Sequence, residues 1–407
     1  MNRTLAQNGP TARHRSVAIL AAAGTLLATG AVAQGQTYLR PTSWFNPSGT
    51  LTAPYTNVST AVCVQNSAPG QVRMLPGTIY ETVTINTPVT FTAPNGPATI
   101  DARSTATTNI RVGTYNVRLW PGFFVSLTLS DQARANLIGP RLDTENCDVI
   151  GLQEVWDYRL DSPDASGFID AVTTGYPNDF YGGTFSGNGN NSGLLTMSAF
   201  GMFGRVQGEF VECDGDDCSA NKGWIRSTFI KNGFNVTVYN THTQSGSSSG
   251  NQTTRADQLT QMASDIVVFR TLNPSHAIFV IGDFNIDRDS SEFTGNMSDI
   301  MGGIAGLSDG ATNFPCSADF SDCTSCASNT IKQIFGGDEN DKILDHILYV
   351  GSWDGTVKVI PTNYQVKSYR RTDGGEWCRN IIPTGCANDL SDHEAVFMDF
   401  QLRRVTP

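Results

Sequence analysis

Positive charge is scarce in this chain. Of its 407 residues, 27 are Lys or Arg against 38 Asp or Glu, a formal net charge of −11. The first 33 residues hold Arg3, Arg13 and Arg15 and no acidic residue, so the chain beyond them carries −11 − 3 = −14. Nucleic-acid binding rests on Lys and Arg neutralising phosphates, so general electrostatic attraction to a polynucleotide is excluded, although a local basic groove is not. Long apolar runs are also missing. After residue 33 no stretch approaches the roughly 18 apolar residues of a membrane span, and a soluble mature protein is expected. Helical periodicity is absent from 34 to 100, and Cys323-x-x-Cys326 lacks the second pair that a zinc site would need.

The N-terminus has the make-up of an export signal. A leader with three Arg precedes the small and apolar run Ser16 to Ala31, and Ala31-Val32-Ala33 has the A-x-A cleavage pattern. Secretion is therefore expected, with 1–33 removed. Nine cysteines in an exported chain point to disulfides. The close pairs are Cys213/Cys218 and Cys378/Cys386, with Cys316, Cys323 and Cys326 as a third cluster in which Cys323-x-x-Cys326 reads as a loop staple. Cys147, beside the apolar Val149-Ile150, reads as a buried thiol. The odd count leaves at least one cysteine unpaired or paired between chains.

From 34 to 100 the chain alternates short β-leaning runs with Pro, Gly and Asn, as in Thr78-Ile79-Tyr80, Val83-x-Ile85 and Val89-x-Phe91. This small all-β segment resembles a coil or two of the parallel β-helix in pectate-lyase-like solenoids, and so few coils are expected to lean on a neighbour. Residues 101–108 read as a linker. From 109 to 407 apolar strands alternate with helices, and the strand ends carry polar groups. Ile110 to Val117 presents Asn116, and Asp148 to Val155 presents Glu154. A hairpin around Asn232-Gly233 delivers Thr241-His242. The strand Ala277 to Ile281 runs into Gly282-Asp283-Phe284-Asn285, where residues two apart face one side. Ile343 to Tyr349 contains Asp345, and Ser391-Asp392-His393 precedes a final strand, Ala395 to Leu402. Helices are expected over 131–142 and 255–270, and a loop-rich region over 288–341.

Each of these polar residues has an ordinary structural explanation. Asn116 and the Asp283/Asn285 pair suit turns, a lone His is more often structural, and a carboxylate after an apolar run needs a partner. Six such strand ends in one chain are hard to explain that way together. The set Thr114-Tyr115-Asn116-Val117, Gln153-Glu154-Val155, Thr241-His242, Gly282-Asp283-Phe284-Asn285, Leu344-Asp345 and Ser391-Asp392-His393 resembles the endonuclease/exonuclease/phosphatase superfamily, in the family's order, across 109–404.

That resemblance implies an α+β four-layer sandwich, two mainly antiparallel sheets packed face to face with helices outside. It implies Mg²⁺, or another divalent cation, held by Glu154 with Asn116 close by. It implies His393 as general base partnered by Asp345, and His242 as a second imidazole partnered by Asp283. Asn285 would hold a phosphate oxygen, and Asp392 would complete the network. The reaction implied is in-line displacement at phosphorus. Within the superfamily, Cys213 to Trp224, running into Asn221-Lys222-Gly223, is similar to a stretch of secreted bacterial sphingomyelinases. The insert with Trp377, Ile381 and Ile382, braced by Cys378/Cys386, stands where those enzymes carry a membrane-entering hairpin. The expected partner is thus a phospholipid or sphingolipid membrane surface, approached by a monomer. An extracellular endonuclease is the alternative, and a catalytically idle binding protein is a third class.

Overall fold

A single parallel pair lies inside each of two six-stranded sheets, and this is what places the site. The computed structural model describes residues 36–39, 70–80, 89–94, 96, 98–101, 106–120, 129–156, 167–182, 191–301, 307–309, 323–335, 340–379 and 384–405. The expected signal at 1–33 lies outside them.

In the N-terminal part, β1 (Gln36–Leu39), β2 (Gly70–Met74) and β4 (Val89–Thr92) form one parallel sheet, while β3 (Gly77–Tyr80) pairs in parallel with β5 (Ala98–Asp101). Strands that recur in parallel between two narrow sheets have the pairing of solenoid coils. Of the expected linker, Asp101 ends β5 and Thr107-Thr108 open the next strand, so any joint is confined to a few residues.

The first large sheet has six strands. They are β6 (Thr107–Leu119), β7 (Val149–Val155), β8 (Asn178–Tyr181), β9 (Leu195–Ser198), β16 (Val357–Lys367) and β19 (Ala395–Arg404), in the spatial order β16-β19-β6-β7-β9-β8. The second contains β10 (Phe203–Glu209), β11 (Gly223–Lys231), β12 (Phe234–His242), β13 (Ala277–Asp283), β14 (Ser308–Asp309) and β15 (Asp345–Val350), in the order β10-β11-β12-β13-β15-β14. All neighbours are antiparallel except β6/β7 and β12/β13. A parallel pair needs a crossover, and helices supply both. Helix α1 (Asp131–Thr144) joins β6 to β7, and α3 (Ser249–Leu272) joins β12 to β13. Short helices α2 (Phe168–Val172) and α4 (Thr330–Ile334) complete the set used below.

Burial shows the four layers. Phe279 and Ile281 of β13 face Val112, Val149, Val396 and Phe400 of the other sheet, while Ile278 and Val280 face Leu259, Met262 and Ile266 of α3. On the opposite side Ala135, Ile138 and Leu142 of α1 cover Tyr115, Ile150 and Leu152. Strands covered on both faces read as unbroken apolar runs, which is why Ala277 to Ile281 has no alternation. The N-terminus of α3 is fixed by a capping box between Ser248 and Asn251. The loop-rich reading of 288–341 holds only in part, since it contains a wide helical turn over Phe293–Met301, then β14 and α4. Among the described residues no helix is long and apolar enough to cross a membrane.

Candidate active site

Strand register alone gathers half of the polar residues. His242 on β12 is level with Asp283 on β13, which is level with Asp345 on β15, so three functional side chains form one transverse row. Gly282 makes this row possible. Its φ is +150°, and a Cβ there would sit 2.0 Å from the Thr241 carbonyl oxygen. In the other sheet Asn116 is level with Gln153, which places Glu154 beside Asn116. The carboxyl ends of both parallel pairs open on the same crevice. Beneath it an amide ladder ties the sheets together. Gln153 Nε2 donates to Asn240 Oδ1 at 2.7 Å, and Asn240 Nδ2 donates to the Leu152 and Leu195 carbonyls at 3.1 and 3.0 Å.

His393 arrives from the turn before β19. Ser391 Oγ donates to the Asn116 carbonyl at 2.6 Å, fixing that turn to β6. His393 Nδ1–H donates to Asp345 Oδ2 at 2.8 Å, and its Nε2 lies 3.7 Å from Asp283 Oδ2. Burial opposes charge on this imidazole, but Asp345 and Asp283 override it and hold its pKa well above the usual histidine range.

His242 is the opposite case. Burial first, then the Lys222 ammonium, push its pKa down to about 3. Lys222 Nζ lies 3.1 Å from His242 Nε2, 3.0 Å from Asp217 Oδ2 and 2.7 Å from the Thr243 carbonyl. An ammonium only donates, so His242 is neutral with Nε2 as the acceptor. Its Nδ1 is buried without a hydrogen-bond partner among the described residues.

The expected partner of His242, Asp283, is 3.6 Å away and equally close to His393, so it bridges both histidines and is dedicated to neither. Burial works against its charge, yet both imidazoles, Asn116 and the Asn285 backbone N–H lower its pKa. Asn285, at φ +50°, donates its backbone N–H to Asp283 Oδ1 at 2.8 Å and its Nδ2 to the Thr243 carbonyl at 3.1 Å. Both groups thus engage the turn that follows Asp283.

Glu154, at φ +57°, accepts from Asn116 Nδ2 at 2.9 Å and Trp120 Nε1 at 2.8 Å. A non-glycine residue held at positive φ stores strain that the surroundings must overcome. Burial, with the nearby Asp392 charge, raises the Glu154 pKa. Asp392 itself meets Arg118 Nε at 3.0 Å.

A divalent cation fits this pocket. Glu154 is a half-buried carboxylate whose pKa is raised, and its oxygens are the ligand type that Mg²⁺ prefers. Asn116 fits the expected ligand role less well. Its oxygen already accepts from the Arg118 N–H at 3.1 Å, and its Nδ2 donates to both Glu154 and Asp283, the latter at 3.0 Å. A donor aimed at two carboxylates holds them at a fixed spacing. Asp283, Asp345 and His393 also place one ligand atom each within 4.8 Å of one another. Within that group Asp345 and His393 are already joined by the 2.8 Å hydrogen bond.

Residues 106–393 match the Endonuclease/Exonuclease/phosphatase family. The chain belongs to that family. A phospholipase C of Staphylococcus aureus is 27% identical over 175 residues, 39% of this chain and 52% of the relative, so the chain spans about half the length of the curated relatives it matches. Among solved structures, sphingomyelinase C from Streptomyces griseocarneus superposes with a TM-score of 0.57 at 19% identity, covering 72% of this chain and 99% of that one. A Staphylococcus aureus beta toxin mutant with bound magnesium ions gives 0.55 at 21% identity, covering 73% and 100%. At such identities the superpositions speak for the fold, the family's α/β sandwich.

Two features set this family member apart from the sequence reading. Trp377, expected at a lipid-facing tip, is 7% exposed. It packs in the core cluster with Tyr115 and Tyr369, under the Arg371 guanidinium at 4.2 Å from its ring. A short β17/β18 hairpin (Trp377–Arg379, Gly385–Ala387) pins it there, closed by the Cys378–Cys386 disulfide. Ile381 and Ile382 lie outside the described residues. Cys213–Cys218 and Cys323–Cys326 are also bridged, and Cys147 is a buried free thiol. Lys222, in the Asn221-Lys222-Gly223 run at the head of β11, is a contact of His242 that the sequence reading does not place in the site.

Proposed function

We propose that this chain is a secreted, Mg²⁺-dependent phosphodiesterase that hydrolyses sphingomyelin to ceramide and phosphocholine at a membrane surface. The observation that carries the reading is the meeting of two imidazoles of opposite protonation, His393 and His242, on Asp283 beside the half-buried Glu154. Paired titratable groups whose surroundings drive their pKa values apart are the arrangement expected of acid–base chemistry. The choice of lipid is supported by the names of the similar proteins, a phospholipase C and a sphingomyelinase C.

In this reading Glu154 holds the cation, and Asn116 keeps the Glu154 and Asp283 carboxylates in place. The ion, when bound, supplies positive charge for the phosphoryl oxygens. His393 takes the proton of the attacking water at Nε2 while Asp345 holds its Nδ1–H and fixes the tautomer. Lys222, beside neutral His242, offers donors on the far side of the same crevice, where charge grows on the phosphoryl oxygens or the leaving group. Asp283 steadies both imidazoles, Asn285 aims Asp283, and Asp392 holds Arg118 at the rim.

The test gives the purified protein sphingomyelin liposomes and plasmid DNA in parallel, with Mg²⁺ and with EDTA. Phosphocholine release that EDTA abolishes is the expected result. DNA nicking without phosphocholine release would replace the lipid by a nucleic-acid substrate, and activity that survives EDTA would remove the metal.

A further inference from the structure

The Asp345–His393 hydrogen bond joins residues 48 apart in sequence, one opening β15 and the other in the turn before β19 of the other sheet, so something must fix the distance between those segments locally. Thr324, fully buried, is the residue that touches both sides. Its Oγ1 accepts from the backbone N–H of Leu344 at 2.9 Å and of Asp345 at 3.1 Å. Its carbonyl accepts from the backbone N–H of Glu394, the residue after His393, at 2.7 Å, and its own N–H donates to the Lys342 carbonyl at 2.9 Å. Thr324 lies inside the four-residue loop closed by the Cys323–Cys326 disulfide. That loop is anchored further by Ser325, which exchanges backbone hydrogen bonds with Lys342, and by the Lys332 ammonium on the Ser325 carbonyl at 3.1 Å. Asn329 donates from its backbone to the Cys326 carbonyl at 3.1 Å and from Nδ2 to the Ser391 carbonyl at 2.8 Å, so a second strut runs from the same loop to the turn bearing His393.

We propose that Thr324, held by the Cys323–Cys326 bridge, is a positioning residue that locks Asp345 against His393 across the two sheets. This rests on the general-base role given to His393 above. The start of β15 and the turn before β19 have no ladder hydrogen bond to each other, because they belong to different sheets. One threonine supplies the missing connection, with a side-chain acceptor for one segment and a main-chain acceptor for the other. The disulfide cuts the freedom of a loop too short to hold itself by packing. A hydroxyl is required because two backbone donors converge on it. An apolar group there would leave Leu344 and Asp345 with buried N–H groups lacking an acceptor. Small displacements of a base are costly, since about 1 Å of misplacement lowers rates on the order of 10²-fold.

The test compares Thr324→Val, which keeps the shape and removes the acceptor, with Thr324→Ser, which keeps the hydroxyl, and with a Cys323→Ser/Cys326→Ser double variant. Two quantities are read. One is kcat and KM with Mg²⁺ on bis-p-nitrophenyl phosphate. The other is the ¹⁵N shift of His393 Nδ1 in metal-free protein, which reports the hydrogen bond to Asp345 whether or not the protein turns over substrate. For Thr324→Val the expected result is a fall in kcat of about tenfold at unchanged KM, with a displaced Nδ1 resonance. Thr324→Ser should restore both to within about twofold, and the cysteine double variant should show the same direction of change more weakly. Wild-type kcat and an unmoved Nδ1 resonance in Thr324→Val overturn the proposal. If that variant fails to fold, a folded cysteine double variant with wild-type kcat and resonance overturns it instead. A wild-type protein inactive on every phosphodiester would sink the phosphodiesterase reading and leave the resonance to decide the role of Thr324.

Discussion

Lys222 Nζ and His242 Nε2 lie 3.1 Å apart, a cation and a ring nitrogen so placed that the histidine stays neutral. Replacing the lysine by methionine removes the charge while keeping most of the stem. Lys222→Met should let the His242 pKa climb from about 3 toward its ordinary value of 6.5, read by NMR titration. It should also lower kcat on the order of 10²-fold, the scale of one lost donor to a developing oxyanion. A histidine titration unchanged in this variant would leave burial as the sole cause.

His242 also predicts a pH dependence of stability. A histidine whose folded pKa is depressed makes the fold lose stability as pH falls from the unfolded value, 6.5, toward about 3. Denaturant melts should therefore show a decline over that window. The decline should be smaller in His242→Gln, which has nothing to protonate.

For His393 the sign reverses. Its raised pKa contributes stability that is fully present below the ordinary 6.5 and lost as pH rises through the folded value. A base must be neutral, so turnover should climb with pH along the same limb. Asp345→Asn removes the charge that holds the proton. The limb should move to lower pH while kcat falls on the order of 10²-fold from the lost orientation. A limb that stays in place would assign the base elsewhere.

Cation binding should appear as heat stability. Glu154 is half-buried with a raised pKa, so Mg²⁺ at about 100 times its Kd should add roughly 2.7 kcal/mol to unfolding. The shift in Tm should vanish in Glu154→Gln and survive in Asn116→Ala, because the Asn116 oxygen is turned toward the Arg118 backbone.

Trp377 separates a core role from a lipid-facing one. Trp377→Ala should cost about 3–5 kcal/mol of stability, as large core truncations do. Binding to sphingomyelin vesicles at a temperature where the variant is folded should be unaffected.

Much of the site could be read from sequence because strand ends advertise themselves. Apolar runs such as Val149 to Leu152 and Ala277 to Ile281 stop at Glu154 and at Asp283, and the turn at Asn232-Gly233 sets the β11/β12 register that puts His242 opposite Gly223, beside Lys222. What escaped depends on contacts made at a distance. Lys222 and Thr324 look ordinary along the chain and gain meaning only from His242, Asp345 and Glu394, which the fold brings to them. Edge strand β16 escaped for another reason, since Pro361 interrupts its pattern where the ladder to β19 shifts register. The burial of Trp377 is not legible either, because an aromatic residue near a disulfide looks the same from sequence whether it faces lipid or the core.

The strand order has a consequence for how activity first appears. β19 lies between β16 and β6, so the strand following His393 must enter next to the strand bearing Asn116, across more than half the chain. Non-local closure of this kind is paid late in folding, after loop entropy has been overcome. The row of His242 and Asp283 lies wholly in the other sheet, so it does not depend on β19, whereas the meeting of His393 with Asp345 does. The two halves of the site are therefore joined by the last strand of the chain.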